Sequence, residues 1–184
     1  MQIGNLEFAH WLQNPELLAS PVIECLKNPN NTTLSDSAYV ASIDSSLADT
    51  AQFCEAYNIG LDISANAIVL KAKKSSNRYF VMCIVLATTK ADVNGFIRKH
   101  LGAKSVSFAS MEDAVQETKM EFGGIGPIGK PNDWQLLIDS KVLEHDSVII
   151  GSGIRGSKIA VDPKSLLDLP NVEVLENLAN AVED

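Results

Sequence analysis

The chain has 184 residues, 46% of them hydrophobic and 21% charged, and carries a formal net charge of −8. That balance excludes a disordered or fibrous chain and fits a single domain over 1–184, able to bury about two thirds of its unfolded surface. The longest apolar run, Val81 to Ala87, is far short of the about 20 residues a bilayer crossing needs, and the N-terminus lacks the basic-then-apolar order of a secretory signal. The expectation is a cytoplasmic protein with no membrane partner.

In chain order, Asn5 to Lys27 reads as helical with interruptions at Pro15 and Pro21, and Asn28-Pro29-Asn30-Asn31 is a break. Asp49 has the character of a helix N-cap, with the helix running through Tyr57 and Gly60 just past its end. Ala67 to Ala72 and Tyr79 to Ala87 are dominated by valine, isoleucine and leucine and read as strands joined by the polar turn Lys74-Ser75-Ser76-Asn77. Asp92 opens a helix with Val93, Phe96, Ile97 and Leu101 at helical spacing, closed by Gly102.

Val106 to Phe108 is a short strand, and Ser110 with Asp113 resembles a capping box for a helix over Met111 to Thr118. Gln135 to Asp139, Ser147 to Ile150 and Lys158 to Val161 read as strands, Pro163 begins a short helix through Leu169, and Val172 to Leu175 follows. Helices and strands mix without a regular βαβ repeat, so the fold class is α+β with a mixed, barrel-like sheet core flanked by helices.

Cys25, Cys54 and Cys83 are odd in number and lack a CxxC pair, which argues against a disulfide framework and against zinc. His10, His100 and His145 are scattered, so neither a metal nor a cofactor is expected. The charge is uneven: Lys71, Lys73, Lys74, Arg78, Lys90, Arg98, Lys99 and Lys104 face one acid, Asp92, between positions 66 and 104. This is either a basic face for a phosphate-bearing partner or an ordinary solvated surface.

Two glycine-rich turns stand out. In Gly123-Gly124-Ile125-Gly126-Pro127-Ile128-Gly129, four glycines allow tight backbone turns and close ligand approach, and exposed N–H groups there can hold a carbonyl or oxyanion. A tight connection between helix and strand is the plainer alternative. The second, Gly151-Ser152-Gly153-Ile154-Arg155-Gly156-Ser157-Lys158, matches GxGxxG literally. A dinucleotide site needs a helix next, yet Lys158-Ile159-Ala160-Val161 alternates like a strand, and no GK[ST] ending makes it a Walker A loop.

The order of an apolar strand from Asn66, the helix ending Leu101-Gly102-Ala103-Lys104, GGIGPIG, a strand ending Ile138-Asp139 and then Gly153-Ile154-Arg155-Gly156 resembles the YbaK/prolyl-tRNA synthetase-associated family of aminoacyl-tRNA editing domains. Gly123-x-x-x-Pro127 corresponds to the family's GxxxP loop and Gly153-x-Arg155-Gly156 to its second turn. The resemblance covers about 47–178, leaving 1–46 as an N-terminal helical extension. It implies an aminoacyl-tRNA deacylase that hydrolyses the ester of a mischarged small amino acid at the tRNA 3′ acceptor end, free-standing or beside an aminoacyl-tRNA synthetase.

On this resemblance Gly123, Gly124 and Gly126 orient the ester carbonyl, and Pro127, Ser152, Gly153 and Arg155 complete the substrate site. The family's functional lysine at the start of its first core strand is replaced here by Asn66, and Lys158 supplies the cation from another strand, leaving Asn66 to bind the amino-acid moiety. Lys71, Lys73 and Lys74 are the expected tRNA phosphate contacts. A non-catalytic module of the same fold, recognising an aminoacyl-like or nucleotide ligand or a synthetase, is the alternative, and a regulator binding a free amino acid is a third class.

Overall fold

In the computed structural model, which describes residues 1–182, the N-terminal stretch departs from the expected helix. Gly4 turns with φ +54, so β1 (Gln2–Ile3) pairs antiparallel with β2 (Leu6–Glu7), and β3 (Ala9–His10) follows. The His10 imidazole then accepts the Leu12 N–H, and the chain makes tight 3-10 turns at Trp11–Gln13 and Pro15–Leu17. Only Ser20–Leu26 is α-helix (α1), with proline in its first turn, where the missing N–H is harmless.

After α2 (Thr32–Ser37) comes β4 (Tyr39–Ser42), an inner strand of a sheet. The expected helical extension over 1–46 is therefore corrected: this segment supplies two of the four strands in that sheet.

The remaining elements follow the sequence pattern more closely. Helix α3 (Thr50–Tyr57) is capped by Asp49, whose carboxylate accepts the Ala51 N–H at 3.1 Å, and Asn58 ends it in the left-handed region. Strands β5 (Ala65–Lys74) and β6 (Asn77–Leu86) form a long hairpin in antiparallel register. Next are β7 (Thr89–Ala91), the helical turn at Val93–Ile97, α4 (Arg98–His100) and β8 (Ser105–Phe108). Both Asp92 carboxylate oxygens accept N–H groups, from Gly95 and Phe96 at 2.9 Å each, so that helix opens as a widened π turn.

Helix α5 (Met111–Thr118) has half of the expected capping box: Ser110 Oγ accepts the Asp113 N–H, but the Asp113 carboxylate pairs with Lys71 instead of reaching back. Then come β9 (Gln135–Asp139), β10 (Val148–Gly151), β11 (Ser157–Val161), a 3-10 segment at Pro163–Asp168, β12 (Val172–Leu175) and β13 (Ala179–Ala181).

The larger sheet has the order β12-β9-β6-β5-β8, parallel at β6/β9 and β9/β12 and antiparallel elsewhere, which is the mixed sheet expected. The smaller has the order β10-β11-β4-β3, and β13 pairs with β7 at one side. The sheets stay open, but one backbone bridge, Ser64 to Ile149, stitches the start of β5 to β10.

Strand β6 explains why Val81 to Leu86 is an unbroken apolar run. Met82 and Ile84 enter the core shared with β4, β10 and β11, while Val81, Cys83 and Val85 enter a second cluster with Ile97 and Leu101. A strand covered on both faces needs no polar alternation. A third cluster packs Phe53 of α3 onto Phe8, Ile43 and Ala160, fixing the helix against the small sheet.

Candidate active site

The seam where Ser64 meets Ile149 opens into a cavity of about 460 Å³. Its walls are the N-terminus of α3, the starts of β5 and β11, the end of β10, and the first glycine turn. That size and mixed lining suit a small polar ligand with an apolar part.

Among the described residues, Lys158 is the one buried cation of the lining. It sits on β11 between β10 and β4, with 7% of its surface exposed, and its side chain enters the cavity. The ammonium donates to the Ala48 carbonyl at 3.0 Å and lies 5.2 Å from the centre of the Phe53 ring. Burial pushes its pKa below the usual lysine value, while Cys54 and Asp49 pull it back up. Asn66 lies on the facing wall, where its Oδ1 accepts the Thr50 hydroxyl at 2.7 Å. Its amide NH₂ has no partner among the described residues, so it is free to donate.

The two glycine turns are locked to each other through backbone. Gly153 N–H donates to Gly124 O at 2.7 Å, Glu121 N–H donates to Gly153 O at 2.8 Å, and Gly124 N–H donates to Glu121 O at 2.9 Å. A Cβ at Gly126 would collide with the Gly151 carbonyl oxygen, and one at Gly124 with the Ile154 backbone. Glycine is needed there for close approach, not for an unusual dihedral.

Gly123, at φ +85, and Ile125 line the cavity, and among the described residues their N–H groups donate to nothing. Backbone N–H groups left without a protein acceptor beside a cavity are of the kind that can receive an oxyanion.

The other expected site residues lie elsewhere. Gly124, Gly126 and Pro127 are buried behind the cavity wall. Ser152 is fully buried, with its hydroxyl 2.7 Å from Ser157 Oγ, and its carbonyl accepts the Ala19 N–H. Gly153 packs against Ala19 and Val22. Arg155 works from outside: its guanidinium donates to Phe122 O at 3.0 Å and Ser45 O at 3.1 Å, and its backbone N–H to Glu121 Oε2 at 2.7 Å. It ties the first glycine turn down.

Lys71 is held by Asp113 at 2.8 Å and covers Phe80, whereas Lys73 and Lys74 continue along β5 away from the cavity. Sequence reasoning missed Ala48, Thr50 and Phe53 as walls and Lys90, Phe108 and Phe122 at the cavity. The Asp49 cap was the one signal available for the first group; that α3 points its N-terminus at this seam is a property of the sheets.

Among the described residues, no cluster of three or more histidine, cysteine or acidic side chains could hold a metal ion, and no helix is long and apolar enough to cross a membrane.

Two sheets joined at one seam, with two glycine turns bonded to each other beside the cavity there, define a class: the chain belongs to the aminoacyl-tRNA editing domain family, whose profile matches residues 44–169. Among curated proteins it is similar to the proline–tRNA ligase of Streptococcus pneumoniae (strain Hungary19A-6), with 30% identity over 60 residues, 33% of this chain and 10% of the ligase. The matched segment thus spans about a tenth of such ligases.

Among solved structures it resembles a candidate trans-editing enzyme for prolyl tRNA synthetase, with a TM-score of 0.69 at 18% identity, covering 85% of this chain and 96% of that one. It also resembles a hypothetical protein with a TM-score of 0.68 at 14% identity, covering 78% and 92%. At these identities the structures carry the fold.

Proposed function

We propose that this editing domain is an aminoacyl-tRNA deacylase that hydrolyses the ester joining a mischarged small amino acid to the 3′ end of tRNA. The observation that carries the reading is the pair of unpartnered N–H groups at Gly123 and Ile125 in the same cavity as the Lys158 ammonium. Water attacks the ester carbonyl carbon, and the resulting oxyanion accepts those N–H groups while the ammonium offsets its charge. Collapse breaks the bond to the ribose oxygen, which takes up the proton lost by the water. The products are a free amino acid and an uncharged tRNA.

Asn66 donates its free amide N–H to the amino-acid moiety, and the apolar walls Phe53, Ile68 and Ile149 leave room for a small side chain. Small residues are the ones a synthetase cannot reject strongly by binding alone, which gives a second hydrolytic site its use. Gly124, Gly126, Pro127, Ser152, Gly153 and Arg155 act by holding the two turns. Lys73 and Lys74, with Lys71 held by Asp113, meet tRNA phosphates. The local likeness to proline–tRNA ligases supports tRNAPro as the acceptor, a prolyl-tRNA synthetase as working partner, and a place in the cytoplasm.

The test is a deacylation screen of alanyl, cysteinyl, seryl and threonyl esters on several tRNAs, tRNAPro among them. Turnover of at least one ester well above its spontaneous hydrolysis is expected. A second reading, a non-catalytic binding module, is favoured by Asn66 standing at the family's lysine position and by the engagement of Lys158 with Ala48 O. Saturable binding of aminoacyl-tRNA without hydrolysis of any ester would establish it.

A further inference from the structure

The cavity mouth carries large apolar side chains that the proposed ester chemistry does not use. Phe108, at the end of edge strand β8, is 64% exposed, and Phe122, immediately before the first glycine turn, is 50% exposed; both line the cavity. Met111, at the start of α5, is 57% exposed and shares a shallow outer groove with Phe122, Ile154 and Arg155. Phe122 therefore borders both the cavity and the groove.

Exposed phenyl rings gathered at one opening mark a binding surface, since each loses the free energy it would gain by burial. Neither ring is needed to fill the core: among the described residues neither belongs to the packed clusters.

We propose that Phe108 and Phe122 form a stacking platform for the terminal unpaired base of the tRNA acceptor end, with the preceding nucleotide running along the Met111–Ile154–Arg155 groove. This rests on the deacylase reading, which puts the terminal ribose inside the cavity and so leaves its base at the rim.

Three features favour a single-stranded nucleic-acid end over an apolar protein segment. The rings are continuous with the cavity that receives the ester. A cation stands on each side, Lys90 in the cavity lining and Arg155 in the groove, as a phosphate-linked ligand requires. The groove's one acid, Glu121, already accepts the Arg155 backbone N–H. Stacking on aromatic faces is tolerant of base identity, so the platform would supply affinity for any acceptor end, leaving selection among amino acids to the interior.

The probe is a tRNAPro acceptor minihelix with alanine joined through a stable amide and 2-aminopurine in place of the terminal adenine. Wild-type protein should change the 2-aminopurine fluorescence on binding. Phe108→Ala and Phe122→Ala should each weaken binding roughly 5- to 150-fold, the scale found per stacked base. Phe→Tyr at either position should restore it, and Phe→Leu should not. On alanyl-tRNAPro the alanine variants should raise KM with kcat nearly unchanged, because neither ring touches the ester.

Folded alanine variants with wild-type affinity overturn the platform. So do leucine variants that bind like wild type, which would make the rim a plain apolar contact, and alanine variants that lose a synthetase partner while keeping the minihelix. A wild type that gives the fluorescence change yet hydrolyses no ester would leave the platform standing and remove the deacylase reading; a wild type that hydrolyses alanyl-tRNAPro with no change at the terminal base would do the reverse.

Discussion

Replacing Lys158 by methionine isolates the charge, because methionine nearly fills the same space without the ammonium. A unit charge pair at about 4 Å and an effective dielectric of about 20 is worth about 4 kcal/mol. Removal of one oxyanion-stabilising group in other hydrolases costs about 100- to 1,000-fold in rate, the same scale once 1.4 kcal/mol is read as tenfold. Lys158→Met should therefore lower single-turnover deacylation by about 100- to 1,000-fold.

Stability should move little. The ammonium gives up its solvation for one carbonyl at 3.0 Å and the Phe53 face, and exchanging a buried charge for a packed apolar side chain is often neutral or stabilising. The pH profile adds a second reading. In the proposed mechanism the charged form is the active one, and burial lowers its pKa, so turnover, corrected for hydroxide-driven hydrolysis, should fall as pH rises through a value below that of an ordinary lysine, 10.5. The variant should lack that limb. The measurement is alanyl-tRNA hydrolysis under excess enzyme, with a thermal melt to verify folding; a folded Lys158→Met protein within threefold of wild-type rate would falsify the electrostatic role.

Gly124→Val should part the two glycine turns, since its side chain would meet the Ile154 backbone, and should lower turnover at least 100-fold; near-normal turnover in a folded variant would reduce the loop to a connection. Asn66→Ala should raise KM or blur selection among esters while kcat changes little, and a kcat loss as large as that of Lys158→Met would mean that it touches the reacting atoms. Changing Lys73 and Lys74 together to alanine should flatten the logarithmic salt dependence of tRNA affinity by about two, while Lys71→Ala, whose charge Asp113 already meets, should do less; an unchanged slope in the double variant removes the phosphate role.

Lys130 offers a stability test away from the cavity. Burial pushes its pKa down to about 8, against the raising effects of Asp133 and Cys25. Below about pH 8 it is charged in folded and unfolded chains alike and its burial penalty is present; between there and 10.5 the unfolded chain holds more protons, so stability rises with pH. The stability of wild type relative to Lys130→Met should improve by up to about 3 kcal/mol across that window, in urea melts at each pH, and a flat difference refutes the shift.

The larger sheet and half of the smaller were legible because their signals are local. Valine and isoleucine runs bounded by Lys74-Ser75-Ser76-Asn77 and by glycine or proline punctuation gave the β5–β6 hairpin and β9 to β12, and the Asp49 and Ser110 caps placed α3 and α5. The N-terminal region was not legible. Strands of two residues carry no periodicity, and Tyr39–Ser42 becomes an inner strand only because β11 pairs with it across more than a hundred residues of chain.

The candidate site divides the same way. Lys158 and Asn66 line the same cavity because Ser64 and Ile149 bring β5 to β10, a pairing no local signal announces. Arg155 and Ser152 read as substrate contacts, but a motif letter cannot tell a side chain that faces a ligand from one that braces a loop. Arg155 is spent on the carbonyls of Phe122 and Ser45, and Ser152 on Ser157.

The mutual backbone lock of the two glycine turns has a consequence for how such a domain changes over time. The Gly123 and Ile125 N–H groups sit on a turn held by main-chain bonds among Glu121, Gly124 and Gly153, so their position is indifferent to most side chains around them. The parts that would discriminate on the deacylase reading, Asn66, Thr50 and the apolar walls, hang from other strands and helices. The proposed mechanism thus writes reaction geometry and choice of substrate on separate pieces of chain. A lineage can revise its amino-acid preference, or move a cation from one wall to another, while the catalytic cradle is inherited untouched.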